Sequence, residues 1–456
     1  MKDNKMDIAI IDGNIHSIYD NEIYKRKILS NTFNDNNIHA TICYLIIKKY
    51  SKYFRCSNVC LLGSNYGKDI INLYDALDWC LKNNIFLVNL SFGTTHFKDF
   101  SEIQKTVNYF TNKGMLLICA TSNDNLTTYP ASLSSVIGVK TDYCKSLSPA
   151  NDIYLGIDFI APSVHKVDVF GDYISTSYSN SYATPYVTAQ VLNQIVKKDL
   201  PFNIKEIKKS LLGNLYNEPF NADWISNALI IGDCGKSKAH YYFNYTEDLS
   251  KTEDVDTIII CENSSINFDI RTKNLVCLLE DSKFLNQDIL LNDKFCWTPL
   301  CKKNQITSVK PCNEEILTPV VNIVVDKEFD KFYMLKKLIE YFAEENYNTY
   351  VICEDTKSVL YNLEYIPNEF LMYPNEFINT FICQQIKYRQ IDLLLICTYQ
   401  EINNILSDLL ISLHYCKEKF IVSFKNQGNT LDEIVLENDE DLNYQIVYDK
   451  LISFLS

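Results

Sequence analysis

The chain has 456 residues, 47% of them hydrophobic, and a formal net charge of −14. That length accommodates two or three domains with substantial cores, and the acidic balance argues against a nucleic-acid surface and favours neutral or cationic partners. No apolar run reaches the roughly 18–20 residues that a membrane-crossing helix needs, so neither nucleic acid nor membrane is expected as a partner.

Near the N-terminus, Asp7-Ile8-Ala9-Ile10-Ile11 is a short β-branched apolar run that ends in Asp12-Gly13. It reads as a buried parallel strand followed by a turn, and a carboxylate at the carboxyl end of such a strand can orient a histidine. His39-Ala40-Thr41-Ile42 opens a segment with Ile42, Leu45, Ile46 and Tyr50 at helical spacing. That spacing predicts a helix over 39–54 with a candidate base at its start. Apolar runs at 59–63, 86–91, 115–120 and 135–139 alternate with helical patterns at 73–83 and 101–113, which predicts a parallel sheet with helices on both faces. The strand 115–120 runs into Thr121-Ser122-Asn123, where the Asn123 amide can donate to an oxyanion.

Further along, Ser179-Asn180-Ser181-Tyr182-Ala183-Thr184-Pro185-Tyr186-Val187 precedes an apolar helical pattern at Val187, Val191, Leu192 and Ile195. Proline is tolerated in a first helical turn, so Ser181 is expected at a helix N-terminus. Free backbone N–H groups and the helix dipole can stabilise a developing oxyanion there. Taken singly, each of these residues has an ordinary reading as a turn former, surface histidine, loop residue or helix cap. Taken in order, they supply an orienting acid, a base, an oxyanion donor and a nucleophile.

In their flanking contexts they resemble the subtilisin-like serine peptidases, the subtilases, over roughly residues 5–200. Ile8-Ala9-Ile10-Ile11-Asp12-Gly13 resembles that family's aspartate strand, and His39-Ala40-Thr41 its His-Gly-Thr. Leu87-Val88-Asn89-Leu90-Ser91-Phe92-Gly93 is similar to its substrate-pairing strand, and Ser122-Asn123 to its oxyanion segment. Tyr129-Pro130-Ala131, Val136-Ile137-Gly138-Val139 and Phe159-Ile160-Ala161-Pro162 also match in order, ahead of Ser179 to Val187 at the nucleophile. The resemblance implies a catalytic triad of Asp12, His39 and Ser181, with Asn123 in the oxyanion hole. It places an extended substrate along Ser91, Phe92 and Gly93 and beside Ala120, Thr121 and Ser122. The chain departs from the family pattern in having Gly13-Asn14 after the aspartate and Ala40 after the histidine. Ser122 stands before the asparagine, and Ser179-Asn180 before the nucleophile. Glycine serves where backbones approach closely, so these changes can narrow or distort the site.

The motifs of the remainder identify no family. Gly232-Asp233-Cys234-Gly235-Lys236-Ser237-Lys238 is a turn-rich break and is read as a linker. The expected domains are a subtilisin-like one over 1–236, a small strand-rich region over 237–316 and a second α/β domain over 317–456. Strands are predicted at Thr257–Cys261 and Leu275–Leu279, then at Val320–Val325, Thr349–Cys353, Ile391–Cys397 and Phe420–Phe424, with a helix at Tyr333–Glu344. The segment 325–332 sits where a phosphate-binding loop would sit but keeps only Lys331 of that motif, so a degenerate nucleotide-binding fold that grips a peptide or partner protein is expected.

The resemblance implies an endopeptidase that cleaves a peptide or protein by acyl-enzyme chemistry, one form of which is a leader peptidase maturing a ribosomally made peptide. The alternative is an inactive pseudopeptidase that binds a peptide without cutting it. The aspartate strand starts about six residues in, with no signal-peptide pattern ahead of it, so a cytoplasmic protein is expected, with its sixteen cysteines as reduced thiols. Cys296, Cys301 and Cys312 crowd one region, but without a CxxC pair they make a poor zinc set. No calcium loop is recognisable, and no cofactor or required metal is expected.

Overall fold

The computed structural model describes residues 5–29, 37–61, 72–150, 155–198, 202–262, 272–279, 294–310, 316–327, 329–372, 376–401, 407–416, 419–426, 429–436 and 441–455. The chain divides into two compact units, one of residues 1–217 with 223–226 and one of 218–222 with 227–456.

The first unit is built on an eight-stranded sheet ordered β2-β3-β1-β4-β5-β6-β8-β7. Its strands are β1 (Met6–Asp12), β2 (Ile23–Ile28), β3 (Phe54–Cys60), β4 (Leu87–Leu90), β5 (Leu116–Ala120), β6 (Ile137–Thr141), β7 (Ser148–Pro149) and β8 (Phe159–Ala161). All neighbours run parallel except β7, which is antiparallel to β8. A separate hairpin pairs β9 (Lys166–Val169) with β10 (Asp172–Ser175).

The helices are α1 (His39–Tyr50), α2 (Leu73–Lys82), α3 (Phe100–Asn112), α4 (Asn180–Lys198) and α5 (Ile204–Leu212). Ile42, Ile46 and Ile47 of α1 pack in one cluster with Val187, Val191 and Leu192 of α4 and with Ile8, Ile10 and Ile118 of the sheet. Ala9 and Ile11, which alternate with Ile8 and Ile10, are fully buried outside that cluster. That alternation is what a strand covered on both faces requires. Burying each such isoleucine side chain contributes about 1.5–3 kcal/mol.

Several boundaries differ from the sequence expectation. Helix α1 stops at Tyr50 and β3 starts at Phe54, ahead of the apolar run at 59–63. The reason is Asn58, a fully buried residue whose side chain accepts from the Ile15 N–H and donates to the Gly13 carbonyl. A polar residue that ties down the β1 turn is thereby paid for in hydrogen bonds, so the strand includes it. Helix α4 begins at Asn180 and carries Pro185 in its second turn, not its first.

In the second unit, five parallel strands are ordered β12-β11-β13-β14-β15. They are β11 (Asn227–Ile231), β12 (Asn244–Thr246), β13 (Thr257–Ile260), β14 (Asn274–Cys277) and β15 (Cys296–Trp297); β11 lies ahead of the turn-rich break at 232–238. A seven-stranded sheet follows, ordered β18-β17-β19-β16-β20-β21-β22. Its strands are β16 (Val320–Val325), β17 (Thr349–Cys353), β18 (Glu364–Tyr365), β19 (Leu393–Thr398), β20 (Leu409–Cys416), β21 (Lys419–Asn426) and β22 (Asn429–Leu436). It is parallel from β18 to β20 and ends in antiparallel pairings. The fold class is therefore α/β throughout, with parallel-rich sheets flanked by helices.

Cys234 and Cys261 form a disulfide with 5.3 Å between Cα atoms. This corrects the expectation that every cysteine is a free thiol; the adjacent strands β11 and β13 end side by side and bring the two together. Cys301 Sγ lies against the Cys296 carbonyl and the Thr298 hydroxyl, and Cys312 falls outside the described residues.

Candidate active site

The carboxyl ends of β1 and β5 and the N-termini of α1 and α4 carry the candidate residues. From β1 the sheet extends through β3 on one side and β4 on the other, and such switch points in parallel sheets form crevices at the strand ends.

Asp12 ends β1 and is 1% exposed. One carboxylate oxygen accepts from the Gly13 N–H at 2.6 Å, and the other lies 2.9 Å from His39 Nδ1. The second contact fixes the ring and leaves Nε2 as the nitrogen able to act as a base. Burial of the ring works against its charge, but the Asp12 carboxylate, with the Cys43 sulfur adding, outweighs it and holds the His39 pKa well above the usual histidine value. Other histidines also stand near aspartates, but the His96–Asp99 and His414–Asp326 pairs are exposed. His165 is buried against Tyr50 and the Tyr182 carbonyl, and burial lowers its pKa to about 4.

At the other side of the site, the backbone N–H of Asn180 donates to Asn123 Oδ1 at 2.9 Å. An N–H can only donate, so the carbonyl end of the Asn123 amide is the one turned toward Asn180 and the NH2 end is turned away. The Asn180 side chain, itself buried, accepts from the Thr141 N–H and donates to the carbonyls of Thr121 and Ser122. It fastens the start of α4 to the ends of β5 and β6. Pro185 has no N–H to offer the Ser181 carbonyl four residues back, and that carbonyl faces the Cys43 thiol at 3.8 Å instead.

The two halves meet through Cys43 and Tyr182. Cys43 Sγ is 4.0 Å from His39 Nδ1, and the Tyr182 ring lies 5.1 Å from the His39 ring, centroid to centroid. Ser181 Oγ shares a hydrogen bond with Ser179 Oγ at 2.9 Å. Among the described residues no hydrogen bond joins Ser181 to the His39 ring. Asp12, His39, Asn123 and Ser181 are thus gathered at one site, with the nucleophile candidate and the base candidate not yet engaged.

Ser91 is buried, its hydroxyl accepting from Asn89 Nδ2 at 2.9 Å. Gly93 is exposed, and a Cβ there would come within 2.8 Å of the Tyr129 carbonyl oxygen, so glycine is required by close approach. Phe92 and Ser122 are partly exposed, whereas Ala120 and Thr121 are buried. These last two contribute backbone and not side chains to any surface.

Cys43, Ser179 and Asn180 are the residues that sequence reasoning did not assign to the site. Cys43 is four positions after His39 on α1, so helical spacing alone puts the two on one face. Asp12, His39 and Cys43 also place ligand-type atoms within 4.8 Å of one another, but the Asp12 and His39 atoms are already bonded to each other.

In the second unit, Lys331 is held by Asp355 at 2.8 Å and by the Tyr399 hydroxyl. Its ammonium is committed to protein partners.

Residues 54–201 match the family model described as the subtilase family, a span that holds Asn123 and Ser181 and begins after His39. The chain is 29% identical over 179 residues to the minor extracellular protease Epr of Bacillus subtilis (strain 168), covering 36% of this chain and 27% of that protein. It is 26% identical over 123 residues to subtilisin Savinase of Lederbergia lenta, covering 26% of this chain and 44% of that protein. The match therefore spans less than half the length of either curated relative. Among solved structures, the prenylagaramide maturation protease PagA matches at 20% identity and a TM-score of 0.35, over 45% of this chain and 80% of that chain. No helix among the described residues is long and apolar enough to cross a membrane.

Proposed function

We propose that the protein is a serine endopeptidase of the subtilase type, on the match of residues 54–201 to that family's model, and that it cleaves a peptide or protein substrate through an acyl-enzyme. The observation that carries the reading is the pairing of buried Asp12 with His39 at 2.9 Å, set beside a serine at a helix N-terminus. Ser181 Oγ attacks the scissile carbonyl carbon while His39 Nε2 takes its proton. The oxyanion is held by the Asn123 amide and the Ser181 N–H. Collapse breaks the C–N bond, and His39 gives its proton to the leaving amine. Water then releases the acyl group by the same steps. The exposed edge at Phe92 and Gly93 is where we place the extended substrate, added as a strand.

The test is hydrolysis of a mixed peptide library by the wild-type protein, followed by mass spectrometry. Sequence-selective cleavage supports the reading, and intact peptides with a folded protein would contradict it. Replacing Asn123 with Ala removes one oxyanion donor and should lower kcat by about 10²–10³ with little change in KM; an unchanged kcat would remove Asn123 from the mechanism.

Rate should also depend on pH in a stated direction. Because the His39 pKa is raised, the base form appears only at higher pH, and the acid limb of kcat/KM should lie above the ordinary histidine value of about 6.5. The stabilising effect of the charged pair runs oppositely, being complete below the unfolded value and lost as pH rises through the folded one. An acid limb at or below the ordinary value would contradict the Asp12–His39 pair as the controlling group.

A further inference from the structure

Ser179 stands two residues before the nucleophile candidate, and its side chain is not idle. Its hydroxyl is 2.9 Å from Ser181 Oγ and 3.4 Å from both Oδ1 and Nδ2 of Asn123. The Asn123 carbonyl end accepts from the Asn180 N–H, and its NH2 is within reach to donate to Ser179 Oγ. An oxygen that accepts from the Asn123 NH2 and lies within hydrogen-bond distance of Ser181 Oγ is where a substrate carbonyl oxygen would have to sit. At the same time the Ser181 hydroxyl is bonded to Ser179 and not to His39.

We infer that the Ser179 hydroxyl is a resting-state clamp. It fills the oxyanion position and turns the Ser181 hydroxyl away from the base, and a substrate carbonyl must displace it before attack. Ser179 is on this view a positioning residue that makes the enzyme slow toward small, weakly held acylating agents. Activity is kept for substrates whose extended binding compensates for breaking the clamp. The inference rests on the serine-peptidase reading above. No bond to Ser179 forms or breaks; only hydrogen bonds exchange.

The test compares the second-order rate of labelling by a fluorophosphonate probe in wild type, Ser179→Ala, Ser179→Gly and Ser179→Thr, with Ser181→Ala as the blank. The Ala and Gly variants should label about tenfold faster than wild type, the scale of one lost hydrogen bond. The Thr variant, which keeps a hydroxyl, should stay slow. A peptide substrate should show the same gain in kcat/KM. A merely structural serine would give slower or unchanged labelling on removal, so equal or lower rates in both Ala and Gly variants would overturn the clamp while leaving the peptidase reading intact. Labelling in none of the proteins, with all of them folded, would overturn the peptidase reading and the clamp together.

Discussion

Replacing Ser181 with Ala should abolish peptide hydrolysis down to the level that binding and the oxyanion donors alone sustain, a loss of about 10⁶ in kcat on the scale of triads that act as a unit. His39→Ala should cost about as much, because a nucleophile without its base and a base without its nucleophile fail at the same step. The double variant should then be no slower than either single one. Such non-additivity separates a working pair from two residues that each matter for folding. Two halves of one proton transfer do not add, and unchanged unfolding in the same variants separates that outcome from a shared structural defect. Thermal unfolding of the three variants should stay close to wild type, since Ser181 and His39 are partly exposed and neither fills the core between α1, α4 and the sheet.

Asp12→Asn should lower kcat by about 10⁴ while leaving the fold in place. The amide keeps the shape of the carboxylate and retains one acceptor oxygen. It cannot balance an imidazolium, however, and its NH2 end presents a donor to Nδ1. The ring then rests in the tautomer that carries its proton on Nε2, the wrong nitrogen for a base. The loss of the carboxylate should also bring the His39 pKa down, because the burial that opposes its charge remains while its main counter-charge is gone. The rate-limiting acid limb should therefore move to lower pH in the variant even as the plateau falls. A variant with near-normal kcat would leave Asp12 as a turn former only. One that failed to fold would point to the Gly13 N–H bond of the same carboxylate as its main role.

The elements that carry the site were legible because each obeys one simple period. The β-branched run before Asp12, the apolar spacing after His39 and the uninterrupted strand before Thr121 all follow from burial on two faces or one. Other parts obey longer-range demands. Strand β2, Ile23-Tyr24-Lys25-Arg26-Lys27-Ile28, carries three basic residues in six and forms because it can pair along an edge of β3, something its own sequence does not announce. Asn58 interrupts an apolar pattern yet lies in the middle of the sheet, since its amide is used up by the turn it braces. The early start of α4 has the same origin. Asn180 opens the helix because its side chain is bonded to the backbone of residues 121, 122 and 141, and Pro185 then falls one turn later than its usual place.

The site shows the same division. That Asp12, His39, Asn123 and Ser181 belong together was legible from order and context. Their state was not. Whether Ser181 faces His39 or Ser179 depends on a hydroxyl rotor and on which end of the Asn123 amide the Asn180 N–H selects, and neither leaves a trace in spacing. The replacement of glycine by Ser179 was visible as a departure, and only the three-dimensional contacts give that departure a consequence. The disulfide between Cys234 and Cys261 likewise depends on strand adjacency that the linear spacing of cysteines does not encode.

The most direct test of Ser181 as an activated nucleophile is to locate the covalent adduct formed when the wild-type protein is treated to completion with a fluorophosphonate probe. Digestion and tandem mass spectrometry should place a single adduct on Ser181, with the peptide containing Ser179 otherwise unmodified and with no adduct in His39→Ala over the same period. An adduct on a different serine, or none in a folded protein after prolonged exposure, would contradict Ser181 as an activated nucleophile.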